Sequence, residues 1–99
     1  MIQVIVFYTL KEAYTGLFAE AFKTIASIVL KEDGCLQYAL FVSPYDATHF
    51  CLVEKWQSQD ALDIHLKTKN LSDFRVQSEP WFAERPVIEI KSIAHERYA

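Results

Sequence analysis

Hydrophobic residues recur along the chain with two different periods, and the changes of period predict the order of its elements. The β-branched and aromatic run Ile2–Thr9 predicts a first strand. Gly34 marks the end of the next element, because glycine adopts the left-handed conformation that closes a helix. That element is an amphipathic helix over Lys11–Lys31, predicted from apolar residues at three- and four-residue steps: Tyr14, Leu17, Ala21, Ile25, Ile28 and Val29.

Alternation with a period of two returns between residues 35 and 57 and predicts a β-hairpin. Its strands are Cys35–Val42 and His49–Gln57, and the polar segment SPYDATH provides the turn. The first of these strands places on one face Leu36, Tyr38 and Leu40. The second places on one face Phe50, Leu52, Glu54 and Trp56.

Two short helical segments and a last strand are predicted after the hairpin. Ser58 is a good N-cap for a helix that ends near Leu66, since its hydroxyl reaches the backbone N–H groups of the first turn. Pro86 precedes the last strand, Val87–Ile93. The second helical segment, Leu71 to about Glu79, places on one side Leu71, Phe74 and Ser78.

The element order is β-α-β-β-α-β with a broken second helix, which predicts an α+β protein of the ferredoxin-like class. We expect one domain over residues 1–99, with a four-stranded antiparallel sheet and helices on one face. The other face would expose an apolar patch larger than monomers tolerate. Packing two such sheets face to face would cover it, so the pattern predicts a homodimer.

Composition and charge limit the classes of partner that the protein can bind. The chain is 52% hydrophobic with a net charge of −3, and no stripe of Lys and Arg suits a nucleic acid. No targeting or membrane-spanning segment is evident, so we expect no membrane partner and a cytoplasmic location. Cys35 and Cys51 are expected as reduced, buried residues, because the hairpin would pair Cys51 with a residue near Leu40 instead.

His65 is the main candidate for chemistry. It shares a helix face with Leu62 and Leu66, and that face turns towards the sheet. One interpretation is a core histidine with a carbonyl partner. The other is a neutral base, with an ordinary pKa of about 6.5, in a cleft that takes a small apolar ligand. The residues expected around that ligand are Tyr8, Tyr38, Glu54, Leu62 and Phe74.

Trp56 would offer this cleft a flat wall for a planar substrate and one N–H donor. Glu54 is equally consistent with a structural ion pair and with a catalytic carboxylate. No phosphate loop, nucleophile elbow or set of metal ligands is present in the sequence. We therefore expect neither a metal nor another cofactor.

The segment DGCLQYALFVSPYDATHFCLVEKWQSQDALDIHLKT, residues 33–68, resembles the antibiotic biosynthesis monooxygenase (ABM) domain family. The resemblance lies in Gly-Cys-Leu, a tyrosine two residues on, a Glu-x-Trp strand end and an Ala-Leu-x-x-His helix. It implies a dimeric ferredoxin-like barrel and functional roles for Trp56 and His65. Its members include cofactor-independent oxygenases of quinols and polyketide phenols, haem-degrading enzymes and an isomerase of a phosphorylated sugar.

The resemblance therefore implies a cofactor-independent monooxygenase that acts on a small quinol or polyphenol. The alternatives are an isomerase of a small phosphorylated sugar or carbonyl compound, and a non-catalytic dimer that binds a small ligand. Haem is disfavoured, because Val6-Phe7-Tyr8 and Phe74-Arg75-Val76 replace the asparagine and histidine regions of the haem-degrading members. Arg75 and Arg85 would favour the phosphorylated sugar if they face the cleft.

Overall fold

A computed structural model describes residues 1–98, so the last residue of the predicted domain lies outside it. The predicted α+β ferredoxin-like class is confirmed. In chain order the elements are β1 (Ile2–Leu10), a 3₁₀ turn (Glu12–Tyr14), α1 (Thr15–Val29), β2 (Cys35–Val42), β3 (His49–Trp56), α2 (Gln59–Leu66), α3 (Lys69–Ser78), a 3₁₀ turn (Glu79–Trp81) and β4 (Phe82–Ser92).

The four strands form one antiparallel sheet in the order β2-β3-β1-β4. The register sets Glu54 of β3 opposite Val4 of β1 and Tyr38 of β2. Ile90 of β4 lies opposite Val4 on its other side. One row across the sheet therefore presents on the same face a phenol, a carboxylate and two aliphatic side chains, in that order.

Helix α1 packs on this face through a stripe that matches the predicted one only in part: Ile25 and Val29 are buried as predicted, whereas Phe18 and Phe22 were not among the predicted residues. The buried residues are Phe18, Phe22, Ile25 and Val29. Leu17, which was predicted to be buried, is 55% exposed, and Ile28 is 38% exposed. The helix carries two adjacent apolar stripes, and the one with two phenylalanines removes more apolar surface from water. Phe18 and Phe22 contact rings from β1, β2, β3, β4 and α3.

Two strand predictions are corrected. Leu36 was placed on the face of Tyr38, but the pairing of β2 with β3 shifts between Cys35 and Gln37, and Leu36 is 56% exposed. The last strand begins at Phe82 rather than Val87. It continues through Pro86 because β4 is an edge strand whose register shifts opposite the end of β1.

The second face of the sheet has no helix on it. Exposed apolar side chains on it include Phe7, Phe41 and Val87, which lie in one row across the strands with Cys51. Cys35 and Cys51 are both free thiols, as expected from the hairpin register, but both are only half-buried and not buried as predicted. Within residues 1–98 no helix has the length and apolar character needed to cross a membrane.

Candidate active site

A cavity of about 570 Å³ lies between the helix-bearing face of the sheet and helices α2 and α3. Most of its wall is aliphatic or aromatic, with contributions from every strand. The predicted ligand-contacting residues Tyr8, Tyr38, Glu54, Leu62 and Phe74 all line it, and so does His65. A largely apolar cavity with a few convergent polar groups suits a small organic ligand.

Local sequence signals place His65 at this wall. The hydroxyl of Ser58 accepts a hydrogen bond from the N–H of Ala61 and begins α2, as predicted. Leu62 and His65 are then the buried residues of α2, and His65 is only 1% exposed. The hydroxyl of Thr68 donates to the carbonyl of His65 and also accepts from the N–H of Leu71 at the start of α3. The break between the two helices thus fixes the backbone of His65.

Glu32 binds the imidazole of His65 through Nδ1, and it was not among the site residues predicted from the sequence. Nδ1 of His65 lies 3.0 Å and 3.2 Å from the two carboxylate oxygens of Glu32. A carboxylate only accepts, so Nδ1 carries the proton and donates it to Glu32. Nε2 is then the nitrogen with a free lone pair. Burial lowers the pKa of His65, while the charge and hydrogen bond of Glu32 partly offset that effect.

Glu54 lies on the other side of the imidazole. Its Oε1 is 3.9 Å from Nε2 of His65 and accepts a hydrogen bond of 2.9 Å from Nε1 of Trp56. Burial raises the pKa of the Glu54 carboxyl to about 7, although the Trp56 hydrogen bond and the charge of Arg75 oppose this. Glu54 can therefore gain or lose a proton close to neutral pH.

Trp56 is placed behind the site rather than in it. It is fully buried at 0% exposure, it is not part of the cavity wall, and its ring stacks on the His65 ring at 4.5 Å. The indole therefore does not form the predicted wall for a planar substrate. It supports the imidazole by stacking and orients Glu54 through its N–H.

Two tyrosines face the cavity from β1 and β2. Burial, followed by the charge of Glu54, raises the pKa of both Tyr8 and Tyr38. Their hydroxyls therefore stay protonated at neutral pH. Within residues 1–98 neither hydroxyl has a hydrogen-bond partner from the protein, and neither is sealed off from solvent. Both are thus available to a ligand as donors.

Two arginines also lie on the cavity wall, Arg75 from α3 and Arg85 from β4. Both residues are exposed overall, so they belong to the solvent-facing edge of the cavity. The positive charge of Arg75 opposes the rise that burial causes in the pKa of Tyr8 and Glu54, and it adds to the fall in the pKa of His65. Arg75 therefore acts on the polar groups of the interior. From the sequence both arginines were candidates to bind an anion, but it did not indicate whether they face the cleft or the solvent.

The arrangement favours proton transfer at an apolar site. A buried neutral imidazole presents Nε2 to Glu54, with Glu32 fixing its tautomer and two phenols as neutral donors. Within the described residues, no group of three or more His, Cys, Asp or Glu side chains is arranged to hold a metal ion. The side chains that converge here have the chemistry that a general base and its supports require.

Comparison with known proteins agrees with this fold. The family model described as antibiotic biosynthesis monooxygenase matches residues 1–77. A search of curated proteins found no match. A solved structure of a candidate antibiotic biosynthesis monooxygenase from Caulobacter crescentus CB15 is 28% identical, with a TM-score of 0.90, and the match covers 95% of this chain and 90% of that one.

Two further solved structures are similar in fold. A candidate antibiotic biosynthesis monooxygenase from Deinococcus radiodurans has a TM-score of 0.93 at 17% identity, over 100% of this chain and 98% of that one. Another from Nitrosomonas europaea has a TM-score of 0.90 at 24% identity, over 96% and 100% of the two chains. At these identities the likeness concerns the fold alone.

Proposed function

Because the chain belongs to the antibiotic biosynthesis monooxygenase family, we propose that it is a cofactor-independent monooxygenase of a small quinol or polyphenol. The observation that supports this most is the position of His65. Its Nε2 carries no proton and lies 3.9 Å from Oε1 of Glu54, and the residue lines an apolar cavity. Such a group removes a proton from a phenol or from a carbon next to a carbonyl.

In the proposed reaction, His65 takes a proton from the substrate and leaves an electron-rich anion. Glu32 stabilises the imidazolium that forms, because its carboxylate already accepts from Nδ1. The anion then gives electrons directly to dioxygen. For a substrate of the anthrone type, a CH₂ group becomes C=O, one oxygen atom enters the product and the other leaves as water. The four electrons come from the substrate, so the reaction needs no separate reductant.

The side chains around His65 each have a specific role in the proposed reaction. Tyr8 and Tyr38 donate hydrogen bonds to the oxygen that develops negative charge. Leu62 and Phe74 contact the aromatic ring. Trp56 is a positioning residue, since it touches His65 and Glu54 but does not reach the cavity.

The test is oxygen uptake with a panel of hydroquinones and anthrones. His65→Ala should lower the rate by roughly 10²- to 10⁴-fold, the usual contribution of a general base. His65→Gln preserves most of the side-chain volume and guards against an effect of misfolding. His49→Ala is the matched control, because His49 is exposed at the start of β3. Equal rates for the wild type and both His65 variants, or no uptake with any substrate, would remove this proposal.

The second candidate is isomerisation of a small phosphorylated sugar, in which His65 would shuttle a proton between adjacent carbons. The position of Arg75 and Arg85 on the cavity wall favours it, because guanidinium groups bind phosphate well. The apolar interior weighs against it, since sugar hydroxyls would find few partners there. Isomerisation consumes no oxygen, so the same assay separates the two candidates.

We also propose that two copies associate through the open face of the sheet. The support is the row of exposed side chains formed by Phe7, Phe41 and Val87. Association would remove these side chains from water. A non-catalytic dimer that merely binds a ligand is the outcome if the oxygen and isomerase assays are both negative.

A further inference from the structure

We propose that Arg75 and Arg85 form a subsite for an oxyanion on the substrate, so that the substrate is a phenol or quinol bearing a carboxylate. The aromatic part of this inference rests on the proposed function. The oxyanion part rests on the arginines and can be tested without turnover.

Both arginines reach the same cavity from different elements. Arg75 comes from α3 and Arg85 from the part of β4 that precedes Pro86. Within residues 1–98, no carboxylate lies within ion-pair distance of either guanidinium. Lys55, Lys69 and Lys91, by contrast, each pair with an acidic side chain. Two arginines that line one cavity, neither with an ion-pair partner among residues 1–98, are therefore open to an external anion.

The charge of the cavity supports the same conclusion. The other ionisable side chains on its wall are Glu54, Glu79, His65 and the two tyrosines. The tyrosines and His65 are neutral near pH 7, and burial raises the pKa of Glu54 to about 7. Two positive charges thus face Glu79 and a partly protonated Glu54. The Glu32 carboxylate also lies close, on Nδ1 of His65, but it is not part of the cavity wall. The two arginines therefore favour an anionic group at the exposed edge of the cavity, where they lie.

The layout also orients such a guest. The arginines occupy the exposed edge of the cavity, whereas His65 and Tyr38 are buried. A ring placed between Leu62 and Phe74 would keep its carboxylate at the edge and its phenol beside His65. Arginine forms two parallel hydrogen bonds to a carboxylate, which fixes direction as well as affinity.

Binding is measured under anaerobic conditions by isothermal titration calorimetry, so that no turnover is required. The probes are hydroquinone, 2,5-dihydroxybenzoate and the sugar phosphate ribulose 5-phosphate. The proteins are the wild type, Arg75→Gln, Arg85→Gln and the control Arg97→Gln. Arg97 is exposed and does not line the cavity, so its substitution removes one positive charge elsewhere.

The wild type should bind 2,5-dihydroxybenzoate at least tenfold more tightly than hydroquinone. Each cavity substitution should weaken that binding roughly tenfold and leave hydroquinone unchanged, as expected for loss of one charge-assisted contact. Arg97→Gln should change neither value. Equal affinities for the two aromatic probes without arginine-dependent binding of the sugar phosphate, an equal loss in the control variant, or no binding of either anionic probe would overturn the subsite.

The same titrations separate the subsite from the proposed function. Arginine-dependent binding of the sugar phosphate alone would support an oxyanion subsite and overturn the aromatic substrate. Oxygen uptake by the wild type with uncharged anthrone, lost in His65→Ala, would support the oxygenase independently of the arginine titrations. If 2,5-dihydroxybenzoate then fails to bind more tightly than hydroquinone, without arginine-dependent binding of the sugar phosphate, the oxygenase stands and the subsite is wrong.

Discussion

Glu32 lies where helix electrostatics disfavour a carboxylate. It follows the end of α1 by three residues, close to the negative end of the helix dipole. Its partner is 33 residues away in α2, where His65 donates Nδ1–H to it. An acid at an unfavourable position just before a turn is a signal that sequence inspection can use. It cannot identify the partner, because the contact depends on how α2 packs.

Glu32→Gln should lower the rate of oxygen uptake roughly tenfold, because the His65 imidazole would be less basic and less firmly oriented. Glu32 raises the pKa of His65, so its removal lowers that pKa further. The acidic limb of the rate–pH profile should therefore move to lower pH. Glu20→Gln, an exposed change on α1, is the control. A reduced rate with an unmoved profile would show that Glu32 serves only the fold.

Glu54 makes stability depend on pH. Its pKa rises from 4.5 to about 7 on folding, so its contribution is fully present below pH 4.5 and is lost as the pH rises through 7. Glu54→Gln removes this dependence and can keep the acceptor for Trp56. Relative to the wild type, the variant should gain roughly 2–3 kcal/mol in free energy of unfolding between pH 5 and pH 8.

Urea denaturation at several pH values measures this difference. Glu84→Gln, an exposed change on β4, should follow the wild type at every pH. A constant offset between Glu54→Gln and the wild type across this range would contradict the raised pKa of Glu54.

At the scale of elements, the turn before β2 brings α1 and α2 together. Gly34 has a φ of +80°, and its carbonyl accepts from the N–H of Gln57 at the end of β3. A Cβ at this position would lie 2.6 Å from Cβ of Ala61 in α2. The tight approach sets α2 beside the turn that bears Glu32. The sequence predicted the left-handed glycine, but it gave no sign of this helix contact.

Gly34→Ala should destabilise the protein by about 2–4 kcal/mol, because a left-handed alanine is strained and its methyl group collides with α2. The matched control is Gly16→Ala in α1, where no atom lies within 4 Å of an added Cβ. That change should be neutral or stabilise by up to about 1 kcal/mol. Thermal unfolding of both variants decides the matter, and equal melting temperatures would show that the turn tolerates a side chain.

At the scale of the whole molecule, the two faces of the sheet differ in what covers them. One face has three helices and the cavity, and the other has exposed aromatic and aliphatic residues. Monomeric proteins rarely leave a contiguous apolar row of this kind exposed to water. The homodimer, the single domain over residues 1–99 and the cytoplasmic location all stay predictions.

Sedimentation at micromolar concentration should give the wild type twice the 11.5 kDa chain mass. Phe41→Asp places a charge on the open face at its β2 edge and should yield a folded monomer, since Phe41 is 55% exposed in the single chain. Val76→Asp, an exposed apolar residue on α3, should remain dimeric. A wild-type species of 11.5 kDa would refute the association.

The sequence by itself determined the features that depend on near neighbours along the chain. The strand alternation placed Tyr38, Glu54 and Trp56 on one face, and Ser58 began the helix that turns His65 inward. These signals are local, because side-chain direction in a strand and hydrogen bonding at a helix start involve only a few consecutive residues.

Only the tertiary structure decided which groups meet across long separations. It buried Phe18 and Phe22 instead of Leu17, placed Trp56 behind the imidazole, joined Glu32 to His65 and brought both arginines to one cavity. Each outcome depends on competition between surfaces for burial, and no period or spacing in the sequence encodes that competition. The histidine could thus be found from the sequence, whereas its proton-bearing nitrogen and its partners could not.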